Sequence, residues 1–176
     1  MKTRGLGHAG WLMLLVVVAG CATAPPAELA GPVDAVTPGE ARAAPEQHVG
    51  RTVRWGGTVA RVENLSGETR VEVVSRELDS GGRPRDEDRS DGRFLALFDG
   101  FLDPAIVSNG REITVVGALV PSVSRAIGAY PYRFPVVKVA RWKLWPPRPE
   151  VVYREYAPHP YWYDPWYPWR RYPYWW

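Results

Sequence analysis

The stretch from Leu12 to Cys21, LMLLVVVAGC, sets the conditions under which everything after it must fold. Ahead of it, Met1 to Gly10 carries Lys2 and Arg4 and no acid, and at its end the apolar run gives way to small residues before a cysteine. A basic start, an apolar middle and a small-residue end make a secretory signal. The run is shorter than the ~20 apolar residues of a bilayer-spanning helix, so a cleaved peptide over residues 1–20 is expected, not a spanning anchor. Cys21 is the only cysteine in the 176 residues. Once it is used, an exported domain has no disulfide, thiolate metal site or thiol nucleophile, and packing alone must hold it together.

The cleavage region says more. Val18, Ala19, Gly20 and Cys21 resemble the lipobox of bacterial lipoproteins. That resemblance implies a diacylglycerol on the Cys21 thiol, cleavage before it, and acylation of the new amine. Several acyl chains at about 0.8 kcal/mol per buried methylene give a permanent anchor where one chain gives only marginal binding. Loss of Lys2 and Arg4 with the signal lowers the formal net charge from +3 to +1. So weak a field gives no reason to expect nucleic acid or anionic lipid as a purely electrostatic partner.

Residues 21–48 are Ala/Pro-rich, with Pro25, Pro26, Pro32, Pro38 and Pro45 and hardly an aliphatic pair, so a flexible tether is expected there. A short helical turn fits Glu40 to His48. From Val49 the texture becomes β-rich runs separated by Gly, Asn, Asp and Pro. Strands are expected at Arg51–Glu63, Thr69–Leu78, Arg93–Phe98, Arg111–Val120 and Pro135–Leu144. Val53 and Trp55 share one face of the first, and Gly56-Gly57 suits a bulge or sharp bend. Phe94 to Phe98 is apolar on both faces, which marks a central strand. Between the third and fourth strands, Asp103, Pro104 and Gly110 supply the cap, first position and exit of one short helix. The expected fold is all-β: a small five-stranded OB-like barrel with one short helix over residues 49–145, flanked by a disordered N-terminal tether and an aromatic, Pro-rich C-terminal tail.

The tail, residues 146–176, interleaves Tyr, Trp and Pro without helical or strand period, which favours polyproline II or irregular backbone. Two readings of it remain open. It can seat at a lipid–water interface through Trp162, Trp166, Trp169, Trp175 and Trp176 with Arg170 and Arg171, or fold back over an apolar face of the barrel.

Several blocks, Val49–Val59, Leu78–Pro84, Gly92–Leu95, Gly100–Pro104, Arg111–Gly117, Tyr130–Tyr132 and Val139–Trp145, resemble in order the Slp family of starvation-inducible bacterial outer-membrane lipoproteins. The resemblance implies an envelope lipoprotein with no established enzymatic activity. It speaks to location more than to mechanism.

The residues offer little chemistry of their own. Neither His48 nor His159 lies in an expected strand beside a second ligand type, so no zinc site is expected. Asp86, Glu87, Asp88 and Asp91 alternate with Arg83, Arg85, Arg89 and Arg93, which reads as a self-neutralising surface before it reads as a calcium loop. Gly56-Gly57 and Gly81-Gly82 lack the spacing of a phosphate loop. Trp55, Trp142 and Trp145 can line a binding face, although core filling is the plainer reading for Trp55 and Trp142. The expectation is therefore an outer-membrane, periplasm-facing lipoprotein held through Cys21, with a structural or interaction role and no catalytic residues, cofactor, metal or nucleic-acid partner. The competing reading is a glycan-, lipid- or peptide-binding module built from the tail and the Trp142/Trp145 end of the barrel.

Overall fold

The computed structural model describes residues 24–149, and the period-two alternation of the sequence is cleanest in strand β2, Glu68–Arg76. There Thr69, Val71, Val73 and Ser75 are buried, while the residues between them turn outward. The other strands are β1 (Thr52–Asn64), β3 (Arg93–Asp99), β4 (Glu112–Ile127) and β5 (Tyr130–Leu144). They close into a barrel in the order β1-β2-β3-β5-β4. Every seam is antiparallel except β3 with β5, which is parallel. All five expected strands form, in the OB-like arrangement.

Closure depends on β1. Its first half pairs with β4, from Thr52 to Thr58, and its second half with β2, from Gly56 to Asn64, so Gly56–Thr58 is hydrogen-bonded on both edges. The glycines permit this squeeze: a Cβ on Gly57 would lie 1.9 Å from the Val74 carbonyl oxygen, and one on Gly56 2.8 Å from that of Ile113. The register shift itself falls three residues on, between Val59 and Arg61. Val53, Trp55, Val71, Val73, Phe94, Ile113, Val115 and Val137 fill the interior.

Phe94–Phe98 is apolar on both faces because β3 serves two clusters. Phe94, Ala96 and Phe98 enter the main core, while Leu95 packs outside the barrel with Phe134 and Val136. This satellite exists because β4 and β5 run past their expected limits at Val120 and Pro135 into a long hairpin arm. Pro121 lacks an N–H for the ladder, and the pairing shifts between Val120 and Val123 to pass it. An Arg125–Glu63 ion pair of 2.8 Å ties the arm to β1.

Two expectations change. The segment before β4 makes two turns and no helix. Asp103 caps the first as expected, accepting from Ala105 N at 2.8 Å, but Gly110 N then donates to Val59 O and draws the chain into the barrel. The one α-helix among the described residues is α1, Pro38–Ala43, ahead of the barrel. The segment read as a flexible tether is, over residues 24–48, a strap laid on the barrel. Its Leu29, Val36 and Ala41 are buried, and burying Leu29 alone contributes about 2 kcal/mol. Asp34 N donates to Thr52 O at 2.7 Å, and Thr52 N donates back to the Asp34 carboxylate at 3.0 Å. The Trp55 indole N–H reaches Val36 O at 2.7 Å. Three apolar residues at irregular spacing carry no period, so composition alone hides them.

Two outcomes follow from these contacts. Gly57→Ala should lower the urea midpoint by an amount equivalent to about 1–3 kcal/mol, because the added methyl meets backbone that cannot swing aside. The second concerns the capping box of α1, where Thr37 Oγ1 accepts from Glu40 N, and Glu40 Oε2 accepts from Thr37 N at 2.8 Å. The Thr37 backbone N–H, and next its hydroxyl, hold the Glu40 carboxyl below its ordinary value of 4.5. A depressed folded value stabilises above the unfolded one and is lost as pH falls through the folded one. The Trp55 indole proton, followed by NMR, should therefore report strap loosening as pH falls below 4.5, and Glu40→Gln should remove that dependence.

Candidate functional site

The two tryptophans expected to share the end of the barrel are three residues apart, an odd spacing that places them on opposite sides of an extended chain. Trp142, on β5, stands edge-on to Phe98 with ring centroids 5.4 Å apart, and 36 % of its surface is exposed. Trp145 follows β5 and is locked in place. Its indole N–H donates to Thr114 Oγ1 at 2.9 Å, and that buried hydroxyl donates to Gly82 O at 2.8 Å. Its backbone N–H reaches Glu112 O and its carbonyl accepts from Arg111 Nη2, both at 2.9 Å.

Cations complete this latch. The guanidinium of Arg83 lies 5.7 Å from the Trp145 ring centre and the Lys143 ammonium 5.3 Å from it. Glu112 accepts from Arg83 at 2.6 Å and from Arg148 at 2.8 Å, while Lys143 pairs with Glu28 of the strap at 2.9 Å. Arg83 and Arg148 also donate to Pro146 O and Pro84 O. The latch thus bolts the end of β5, the loop at 79–84 and the strap together. Trp145 is a structural residue, and the pair offers no joint aromatic face. Trp55 is core, edge-on to Phe94 at 5.3 Å.

A concavity of about 500 Å³ lies elsewhere, between the strap and the loop at 89–91. Arg54, Arg76 and Arg89 line it with Asp34, Glu77 and Asp91. Asp34 is occupied by Thr52 N. Among the described residues none of the three arginines lies within 4.0 Å of a carboxylate oxygen. Arg54 Nη2 donates to Gly31 O at 3.2 Å, yet its Nε is enclosed without an acceptor. This cleft escaped sequence reasoning because its cations are spread over β1, the end of β2 and a loop. The signal in the chain was Arg89 and Asp91 within the mixed-charge stretch.

The acidic residues of that stretch do not gather. Glu87 pairs with Arg85 at 3.6 Å, and among the described residues no three of His, Cys, Asp and Glu converge as metal ligands. Cys21, Trp162, Trp166, Trp169, Arg170, Arg171, Trp175 and Trp176 lie outside the described residues, as does His159.

Comparison with known proteins gives the chain's relatives. The chain is 37 % identical over 153 residues to the lipoprotein YeaY of Escherichia coli (strain K12), covering 86 % of this chain and 76 % of that one. It is 33 % identical over 133 residues to the outer membrane protein Slp of the same organism, covering 70 % of each. Among solved structures, a small single-stranded DNA-binding protein from Streptomyces coelicolor aligns over 54 % of this chain and 94 % of that one at 14 % identity. Its TM-score of 0.35 is too low to bear on function. The family model for the outer membrane lipoprotein Slp family matches residues 18–176, and together with the two Escherichia coli relatives it establishes that this chain belongs to that family.

Proposed function

We propose that the protein is a lipid-anchored, periplasm-facing outer-membrane lipoprotein whose barrel has a structural or interaction role without catalysis, with Cys21 as the acylated residue. One observation carries this reading: the small-residue run Val18–Cys21 stands directly ahead of a strap already packed on a closed barrel. The family match takes in that run, beginning at residue 18. No helix among the described residues is long and apolar enough to cross a membrane. In this reading the acyl chains on Cys21 supply the retention. The tail adds amphipathic Tyr and Trp rings beside Arg170 and Arg171, the mixture enriched where lipid meets water.

Cys21→Ser should leave a folded barrel that fractionates away from membranes after a salt wash; full retention would move the anchor to the barrel or tail. In that soluble variant, deleting Tyr153 to Trp176 should change the melting temperature by no more than about 2 °C and abolish residual binding to envelope vesicles. Unfolding or aggregation of the truncated chain would make the tail part of the fold.

The cleft favours a second reading, a binding module. Three arginines outside ion pairs face Glu77 and Asp91, which are likewise outside ion pairs among the described residues, a lining suited to a small zwitterion that brings both charges. Titration calorimetry with D-alanyl-D-alanine and with phosphoethanolamine should show saturable binding to one of them. Arg76→Gln and Arg89→Gln should each weaken it about tenfold, the loss of one charge-assisted hydrogen bond. Absence of heat with both ligands would remove this reading.

A further inference from the structure

The described chain begins and ends at one corner of the barrel. At the start, Pro25 lies against the loop at 79–84: a Cβ on Gly82 would sit 3.5 Å from the Cβ of Pro25 and 3.3 Å from Leu29 Cδ1. At the end, Trp145 is joined to the same glycine through Thr114, whose hydroxyl bridges the indole N–H and Gly82 O. Arg148, next to last of the described residues, donates to Pro84 O of that loop at 2.6 Å. The segment carrying the lipidation cysteine and the segment opening into the aromatic tail therefore leave side by side.

The length of chain outside the structure limits how far this corner can stand from the anchor. Four residue steps separate Cys21 from Pro25, a reach of at most about 14 Å at full extension. A free tether over residues 21–48 would have allowed roughly 30 Å on average, in any orientation. With the strap bolted down, that freedom is gone. The corner also carries cations: Arg83, Lys143 and Arg148 are gathered there, paired with Glu112 and Glu28, with Asp79 of the same loop accepting from Arg83 N.

We infer that the protein has a fixed membrane-facing side, the corner formed by Pro25, Ser80–Gly82 and Trp145, and that its occupant is the lipid surface holding the acyl chains. The inference rests on acylation of Cys21. The opposite pole is the tip of the β4–β5 hairpin at Gly128–Tyr130, since β5 runs from Tyr130 to Leu144, about 45 Å of extended strand. Tyr130 is 69 % exposed there and Val123, back along the arm, 42 %. The arm is thereby held out into the periplasm, where it presents those apolar side chains away from the bilayer.

Acylation leaves the mature chain without a free thiol, so an introduced cysteine is a unique label. Ser80→Cys and Ala129→Cys alter exposed positions at the two poles. Each mature lipoprotein, labelled with an environment-sensitive fluorophore, is reconstituted into vesicles of phosphatidylethanolamine and phosphatidylglycerol carrying a headgroup-nitroxide lipid. The label at 80 should lose most of its emission and the label at 129 almost none. Equal quenching, or quenching only at 129, with the protein still floating with the vesicles, would overturn the fixed orientation and leave acylation standing. Failure to float, with no acyl mass on the Cys21 peptide by mass spectrometry, would overturn both.

Discussion

Everything in this barrel depends on one strand being hydrogen-bonded along both edges within three residues. At Gly56–Thr58, β1 leaves β4 and joins β2 without interruption, and only residues without side chains let the neighbouring carbonyls approach so closely. Gly117 performs the same service on β4, where a Cβ would lie 2.0 Å from the Lys138 carbonyl oxygen. With the seam closed there, the inward faces of five strands meet in a single core. A chain with a single cysteine has no intramolecular disulfide to add to that packing.

Closure leaves two weak points, the ends of the barrel, and different devices cover them. The strap enters near the start of β1, where Trp55 is pinned to the Val36 carbonyl and Asp34 to Thr52. At the β1–β2 turn and the connection after β3, the buried Thr69 hydroxyl accepts from Leu102 N and sits beside Asn64 Oδ1 and Gly100 O. The latch around Trp145 seals the exit of β5. Each is a polar link over apolar packing, and together they turn segments that look like linkers into fixed parts of the domain. This is the physical basis for treating the protein as an oriented body on the membrane.

The fold was largely legible because alternation and punctuation are local. Val71 and Val73 against Glu72 declare a half-buried strand, and Phe94–Phe98 declares a strand covered on both sides, before any partner is known. The strap was not legible, because Leu29, Val36 and Ala41 follow the contour of the barrel and no helical or strand period. The β4–β5 arm was hidden by Pro121 and Pro135, which read as strand ends until a shifted ladder accommodates the missing N–H. The turn at Asp103 showed correct capping chemistry, and competition from Val59 O for Gly110 N kept it from growing into a helix.

For the sites the division is similar. The sequence by itself determined the address, because a signal, small residues and a cysteine are recognised as a linear string, and it determined the β class, because side-chain period is a property of adjacent residues. Only the tertiary structure decided that Trp142 and Trp145 do not share a face, that Arg54, Arg76 and Arg89 meet in one cleft, and that the two termini of the domain leave from one corner. Those are relations between residues far apart in the chain, and they come into being only when the barrel closes.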